Sequence, residues 1–176
     1  MKDSAVKRLV GRSRPRRGFT LMELLMVVAI IGVLAAIAIP GLISALSRSK
    51  QKRTMADIRS IAMAWETQAL EKGGYNVAGY AVYSSIAPED LLEALSPTYI
   101  RQMPVNDGWS VPLRFGADVP WGGFPPAGKY QIISGGRDAQ VDASQAPGPF
   151  GHYDCDIVFE NGAFLAWPEG VQEGDS

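Results

Sequence analysis

The chain has 176 residues, of which 47% are hydrophobic and 20% are charged, and its formal net charge is −1. This length suits one globular domain and a membrane anchor. Because Cys155 is the single cysteine, an internal disulfide and a cysteine-rich metal site are both excluded.

The near-neutral net charge is the sum of two regions of opposite charge. Residues 1–18 carry seven bases and one acid, whereas residues 19–176 carry ten bases and seventeen acids, so their net charges are +6 and −7. Such asymmetry often marks a targeting segment, and bases before an apolar helix tend to stay in the cytoplasm. We therefore predict a basic leader at 1–18. Nucleic-acid binding is disfavoured because the body is acidic.

A long apolar segment follows, with no charged residue from Leu24 to Ser47. About 20 mostly apolar residues span a bilayer, so residues 19–47 are predicted to form a transmembrane helix. A helix break, as a kink or local unwinding, is expected at Pro40 and Gly41, since proline lacks the backbone donor and clashes with the preceding turn. Glu23 stands at the start of this segment, where a carboxylate usually has a function.

The residues alone leave three outcomes open for this segment. It is an uncut signal anchor, a secretory signal removed after the small-x-small sequence Ala36-Ile37-Ala38, or a helix retained after cleavage just before Phe19. Cleavage after Ala38 fits poorly, because the removed region would be unusually long and would contain Glu23.

The pattern becomes amphipathic in residues 48–74. Apolar residues recur at three- and four-residue steps, which predicts a helix with one buried stripe, and Gly73-Gly74 is predicted to end it. The stripe contains Met55, Ile58, Ala62, Trp65 and Ala69. We expect this half of the helix to pack on a head domain.

Residues 75–168 are predicted to form that head. Pro88 begins a short helix that Pro97 ends. Asn161-Gly162 between two alternating runs is a strong hairpin signal. The predicted strands are Val111–Phe115, Tyr130–Ser134, 156–160 and 163–167, with glycine- and proline-rich loops at 116–128 and 135–153 and a polar tail at 169–176. The predicted fold class is α+β, a lollipop in which a long N-terminal helix packs on a small antiparallel sheet.

The stretch from Gly18 to Leu25 resembles the N-terminal signature of type IV pilins and type II secretion pseudopilins. In that family, prepilin peptidase cuts after the glycine and methylates the new N-terminal residue. The resemblance therefore implies cleavage between Gly18 and Phe19 and N-methylation of Phe19. Pro40 matches the family's helix-breaking proline. Of the three outcomes above, the resemblance favours the third.

Glu23 and the amine created at Phe19 are the predicted assembly residues. A carboxylate at the bilayer centre costs about 2.5–3.5 kcal/mol on insertion scales, which a positive partner offsets. Glu23 of one subunit is expected to meet the Phe19 amine of its neighbour, which would select correctly staggered filaments. Its own Phe19 amine is a rival partner, and an unpaired interfacial carboxylate is the simplest alternative. A stripe for helix packing or lipid contact contains Leu21, Leu24, Leu25, Val28 and Ile31.

Two head segments resemble the major, G-type pseudopilin of type II secretion. One runs from Leu95 to Pro104 and on through Asp107-Gly108-Trp109, and the other from Tyr130 to Asp138. That protein binds calcium in an aspartate loop. The resemblance therefore implies calcium at Asp138, Asp142, Asp154 and Asp156. Arg137 lies within this cluster, the spacing is not that of an EF-hand, and solvated loop acids are the alternative.

The resemblance implies a pseudopilus subunit of type II secretion that is anchored in the bacterial inner membrane with its head in the periplasm. Its partners would be copies of itself, minor pseudopilins or pilins, prepilin peptidase and an inner-membrane assembly platform. The alternatives are a type IV pilin for adhesion, motility or DNA uptake, and a membrane-anchored ligand-binding domain. An enzyme is not expected, because the sequence lacks a nucleophile–base pair, metal-ligand spacing and a phosphate loop.

Overall fold

The computed structural model describes residues 18–75, 86–119, 125–142 and 144–173. The predicted leader, except for Gly18, lies outside these residues. The elements are α1 (Leu21–Lys72), α2 (Pro88–Leu95), β1 (Arg114–Ala117), β2 (Tyr130–Ser134), β3 (Gly148–His152), β4 (Ile157–Glu160) and β5 (Ala163–Glu173). The α+β fold class is confirmed, because a long apolar helix is followed by a small, mostly antiparallel sheet.

Helix α1 has 52 residues and stays helical across Pro40 and Gly41. The predicted local unwinding at these residues is therefore wrong. Proline removes one hydrogen bond of the helix, and the Ala-, Leu- and Ile-rich turns on both sides retain theirs. The end of α1 is as predicted: Gly73 has a φ of 83°, and its N–H donates to the Ala69 carbonyl at 2.8 Å.

The chain divides into two compact units, residues 1–40 and 41–176. In the first unit, the described part consists mainly of the apolar start of α1. Among the described residues, α1 is the one helix long and apolar enough to span a membrane, and its most apolar window has no buried residue. These are the properties of a membrane-anchoring segment.

In the second unit, the sheet has the strand order β1-β2-β4-β5-β3. Three neighbouring pairs are antiparallel, and β3 pairs with β5 in parallel. The predicted β4–β5 hairpin is confirmed, since Asn161 and Gly162 form its turn with φ values of 47° and 90°. The parallel pairing was not predicted.

Two loop predictions are wrong at this sheet edge. β3 lies inside the predicted loop 135–153, and β5 continues through residues 169–173 of the predicted tail. Pro149 and Pro168 suggested irregular backbone, but β3 is an edge strand, and beyond Ala166 β5 pairs with β3 alone. Proline and glycine are tolerated where one side of a strand needs no ladder bond. The rest of the predicted tail, 174–176, lies outside the described residues.

The first strand of the sheet begins later than predicted. β1 starts at Arg114, whereas we predicted Val111. The preceding residues close a turn instead: the N–H of Asp107 donates to the Val111 carbonyl at 2.8 Å, and that of Leu113 to the Val105 carbonyl at 2.9 Å.

The core lies between the second half of α1 and the sheet. Trp65 and Tyr130 are fully buried, with ring centroids 4.9 Å apart. The Trp65 indole N–H donates to the Tyr75 carbonyl at 3.2 Å, and the Tyr130 hydroxyl bonds the Glu66 carboxylate. Four residues of the predicted stripe are buried, and Met55 is half-buried. Seven further fully buried side chains of this core are Ile58, Ile61, Leu91, Leu95, Leu113, Ile132 and Ile157.

Candidate processing and assembly site

The predicted cleavage point lies immediately before α1. Gly18, Phe19 and Thr20 are exposed and precede the first helical residue, Leu21. The Phe19 side chain is 77% exposed. A peptide bond in exposed, non-helical backbone is open to an enzyme, so this placement suits cleavage. Cleavage at Gly18 and methylation of Phe19 stay predictions.

Glu23 makes hydrogen bonds that the sequence analysis did not foresee. Its carboxylate accepts from the Thr20 N–H at 2.9 Å and from the Thr20 hydroxyl at 3.0 Å. The Thr20 hydroxyl oxygen in turn accepts from the Glu23 N–H at 3.1 Å. This reciprocal pattern is a capping box, which satisfies backbone donors at the start of a helix. The Thr-x-x-Glu spacing was a sufficient signal for it.

The capping box restricts how Glu23 can act. In the uncut chain Phe19 has a peptide nitrogen and no free amine, so the predicted ion pair requires cleavage first. Until then the described partner of Glu23 is Thr20. The local hydrogen bonds hold the carboxylate at the start of α1, close to where the new amine would form.

The first half of α1 has no apolar partner within the described residues. The side chains of the predicted stripe are between 55% and 88% exposed: Leu21, Leu24, Leu25, Val28 and Ile31. A contiguous apolar surface of this size marks contact with membrane or protein. Lipid and other copies of the chain can each supply that contact.

Two of the four predicted calcium ligands bond groups of their own loop. Asp142 accepts from the Ser144 N–H at 2.8 Å and from its hydroxyl at 2.6 Å. These bonds keep the pKa of Asp142 below its ordinary value. Asp138 accepts from the Gln140 N–H at 3.0 Å.

A third, Asp154, is paired with a cation. The Arg137 guanidinium donates two hydrogen bonds to the Asp154 carboxylate, from Nε to Oδ1 and from Nη2 to Oδ2, each 2.7 Å long. Bidentate pairs of this kind are among the strongest side-chain hydrogen bonds.

The fourth, Asp156, is buried. Its Oδ2 accepts from the Asp142 N–H at 2.8 Å, and its Oδ1 is buried without a hydrogen-bond partner. Burial raises the pKa of Asp156 from 3.8 to about 6. Burial, followed by the nearby Asp156 and Asp154 charges, also raises the pKa of the Cys155 thiol, which opposes a nucleophilic role.

These positions do not fit a calcium ion held by all four carboxylates. Calcium takes six to eight oxygen ligands. Within the described ranges, no group of three or more His, Cys, Asp or Glu side chains could hold a metal ion. Arg137 already neutralises Asp154. Calcium binding stays a prediction, and the one feature in its favour is the unpartnered Oδ1 of Asp156.

The turn at Asp107 is a structural clamp that the sequence analysis did not predict. Buried Asp107 accepts from the Trp109 and Val111 N–H groups at 2.8 and 2.9 Å and from the Ser134 hydroxyl at 2.6 Å. The Gly108 N–H donates to the Thr54 hydroxyl at 2.9 Å. The turn therefore docks on α1 and on β2 together.

Gly108 is required at this contact with α1. A Cβ atom there would lie 2.4 Å from the Lys50 carbonyl oxygen, so a larger residue would displace the turn from α1.

Known proteins are similar to this chain in its N-terminal region and, at lower identity, over most of its length. Residues 13–39 match the family described as the prokaryotic N-terminal methylation motif. Core protein G of the type II secretion system from Klebsiella michiganensis is 28% identical over 131 residues, 74% of this chain and 82% of that protein. Core protein G from Dickeya chrysanthemi is 27% identical over 147 residues, 81% of this chain and 84% of that protein.

A pilin also matches over a shorter region. The type IV major pilin protein PilA of Myxococcus xanthus is 46% identical over 81 residues, 46% of this chain and 36% of that protein. No solved structure matches the chain. With the long apolar helix and small sheet described above, these similarities show that the chain is a pilin-like protein with an N-terminal methylation motif.

Proposed function

We propose that this chain is the structural subunit of a pseudopilus, the filament of a type II protein secretion system. The extent of the similarity carries this proposal. The two secretion proteins match over 74% and 81% of the chain, so their similarity includes the head, whereas the pilin match covers 46%. The head distinguishes such proteins from one another, because an apolar helix with a methylation motif is common to all of them.

Processing is the first step of the proposed function. Prepilin peptidase cuts between Gly18 and Phe19 and methylates the new amine. The match to the methylation motif and the exposed backbone before α1 support this step. The cut removes the leader with its net charge of +6 and leaves the apolar half of α1 as a single-pass anchor in the inner membrane. The head then faces the periplasm, as bases retained in the cytoplasm require.

Assembly follows by contact between copies. The exposed apolar side chains of residues 21–46 leave lipid and pack against the same residues of neighbouring subunits. Glu23 pairs with the Phe19 amine of a neighbour and so selects the correct stagger. Minor pseudopilins and an inner-membrane platform would start and drive this assembly. The role is structural and does not require catalysis.

A type IV pilin is the second candidate, favoured by the 46% identity to PilA. Deleting the gene in its own host separates the two functions. We expect export of secreted proteins to be lost while twitching motility and surface pili remain. The pilin function would be supported, and the secretion role rejected, by normal export together with loss of pili. Restoring the intact gene controls for effects on neighbouring genes.

A further inference from the structure

A cluster of bases follows directly after the uncharged segment of α1. The basic collar is defined here as four residues that lie within six positions of Ser47, the end of the uncharged segment: Arg48, Lys50, Lys52 and Arg53. All four are exposed. They supply four of the ten bases in residues 19–176, so the positive charge of the body is concentrated at this point.

The collar side chains lie outside the buried face of α1. Ser47, Gln51 and Thr54 are buried, so the positions between them turn outward. Residues three or four apart share a side of a helix. Arg48 and Lys52 therefore lie on one flank of the buried face, and Lys50 and Arg53 lie on the other.

Most of the collar has no internal counter-ion. Arg53 lies 3.4 Å from the Asp57 carboxylate. Within the part of the chain that the structure describes, Arg48, Lys50 and Lys52 have no carboxylate within 4.0 Å. Three cations in five positions are therefore available to an external anion.

We propose that the basic collar binds the phosphate groups of anionic phospholipids at the outer surface of the membrane that α1 spans. This inference rests on the proposed membrane insertion. The occupant follows from position. About 20 residues cross the hydrocarbon layer, so the segment from Leu21 to Pro40 is sufficient, and Ser44 and Ser47 already contact the head. The collar begins about 12 Å further along α1, at about 1.5 Å per residue, beside the headgroup layer, where each base near an anionic surface binds favourably.

The charge of the head explains why such a contact is needed. Residues 54–176 carry six bases and sixteen acids, a net of −10. An anionic bilayer repels this acidic region, and the four positive charges of the collar offset the repulsion near the membrane. Once the leader is removed, the collar is also the basic flank that remains on the membrane-spanning segment, so it fixes the depth of the processed subunit.

Lysine acetylation of the full processed chain in lipid nanodiscs tests the proposal. One set of discs contains phosphatidylcholine alone, and the other contains equal parts of phosphatidylcholine and phosphatidylglycerol. We expect acetylation of Lys50 and Lys52 to be about fivefold slower in the anionic discs, the ratio that about 1 kcal/mol per base gives. Exposed Lys72 and Lys129 on the same molecule are internal controls and should react equally in both.

Salt and substitution sharpen the experiment. High salt should abolish the protection, because screening weakens the attraction of exposed charges. Arg48→Gln with Arg53→Gln should reduce the protection of both lysines, whereas the matched control Arg101→Gln, in the exposed surface of the head, should not.

The opposing outcomes are distinct. Equal labelling of Lys50 and Lys52 in both discs would reject the collar while leaving the anchor and the proposed function intact. Protection in neutral discs that rises with subunit density would show instead that the collar meets an acidic surface of another copy, such as Glu89 and Glu93 of α2. Failure of the chain to enter discs at all would reject the membrane insertion itself, and with it the collar.

Discussion

Residues 21–46 and residues 47–72 form one continuous helix, yet their side chains find their partners in different places. The first half exposes nearly every apolar side chain, whereas the second buries Ile58, Ile61 and Trp65 against its own sheet. The second half therefore contributes to a core that the chain completes alone. The first half has no such cover among the described residues. Under the proposed function lipid or other copies of the chain supply it, and one helix then serves folding at one end and assembly at the other.

Removing the central side chain of the self-contained half should have the largest effect. Trp65→Ala leaves a cavity beneath Tyr130 and should lower the free energy of unfolding of the head by about 3–5 kcal/mol. Denaturant unfolding of the full chain in detergent measures it. The matched control is Met63→Ala on the same helix, 63% exposed, which should change stability by less than about 0.5 kcal/mol. An equal loss of unfolding free energy in the two variants would contradict the conclusion that the second half of α1 belongs to the core of the head.

The pH dependence of unfolding tests the stability of the head, on which the second half of α1 packs, through Asp156. A raised folded-state pKa contributes stability below pH 3.8 that is lost as the pH rises through about 6. We therefore expect the head to lose about 2–3 kcal/mol between about pH 4 and pH 6 from this group. Asp156→Asn should remove that slope, while Glu89→Gln, at an exposed carboxylate of α2, should keep it. A wild-type slope in Asp156→Asn would assign the effect to another residue.

Two roles of Glu23 in the assembling half can be separated by a pair of variants. Glutamine can complete a capping box but has no charge, whereas alanine loses both properties. If the negative charge of Glu23 selects correctly staggered filaments, Glu23→Ala and Glu23→Gln should both reduce filament yield about tenfold or more. That factor corresponds to a loss of about 1.4 kcal/mol or more of assembly free energy. Filament counts by electron microscopy and membrane insertion by fractionation give the two readouts.

Thr20→Val is the control for capping in that experiment. It removes the hydroxyl from the capping box, should cost about 0.5–2 kcal/mol of helix stability, and should leave filaments in place. Normal filaments from Glu23→Gln with defective ones from Thr20→Val would overturn the charge hypothesis and favour capping.

The smallest expected effect concerns metal removal. Because Arg137 already supplies the positive charge beside Asp154, we expect a chelator to leave the Tm of the head unchanged. Arg137→Gln should lower the Tm with or without chelator. A clear fall in the wild-type Tm on chelation would instead support the calcium prediction.

Local signals predicted the parts of the fold that local chemistry determines. Asn161-Gly162 encodes its own turn, and Gly73 can adopt the positive φ that ends α1. The apolar run was an equally local signal, and it forms the exposed start of α1. Position 40 is a counterexample, because the helix on either side overrides the preference of a single proline.

The missed features depend on residues distant in sequence. β3 becomes a strand because β5 lies beside it, and the sequence around Gly148 gives no strand pattern of its own. Asp107 resembles any turn aspartate until β2 brings Ser134 to it. The sequence places Arg137 among the loop acids, but its pairing with Asp154, 17 residues away, follows only from the fold. The capping box differs from these features, since its Thr-x-x-Glu signal lies within four residues.

The end of β5 gives the molecule a route for mechanical force. Gln172 accepts from the Gln51 amide at 3.2 Å and donates to the Phe150 carbonyl at 2.9 Å, and the Tyr153 hydroxyl donates to the Ser44 carbonyl at 3.1 Å. A tension along α1 therefore reaches the sheet near Ser44 and Gln51, before it reaches the core around Trp65. There it loads two hydrogen bonds side by side, Gln51–Gln172 and Tyr153–Ser44, and bonds loaded in parallel share a force that bonds loaded in series each bear in full. The end of β5 thus ties the helix to the sheet when a force acts along α1.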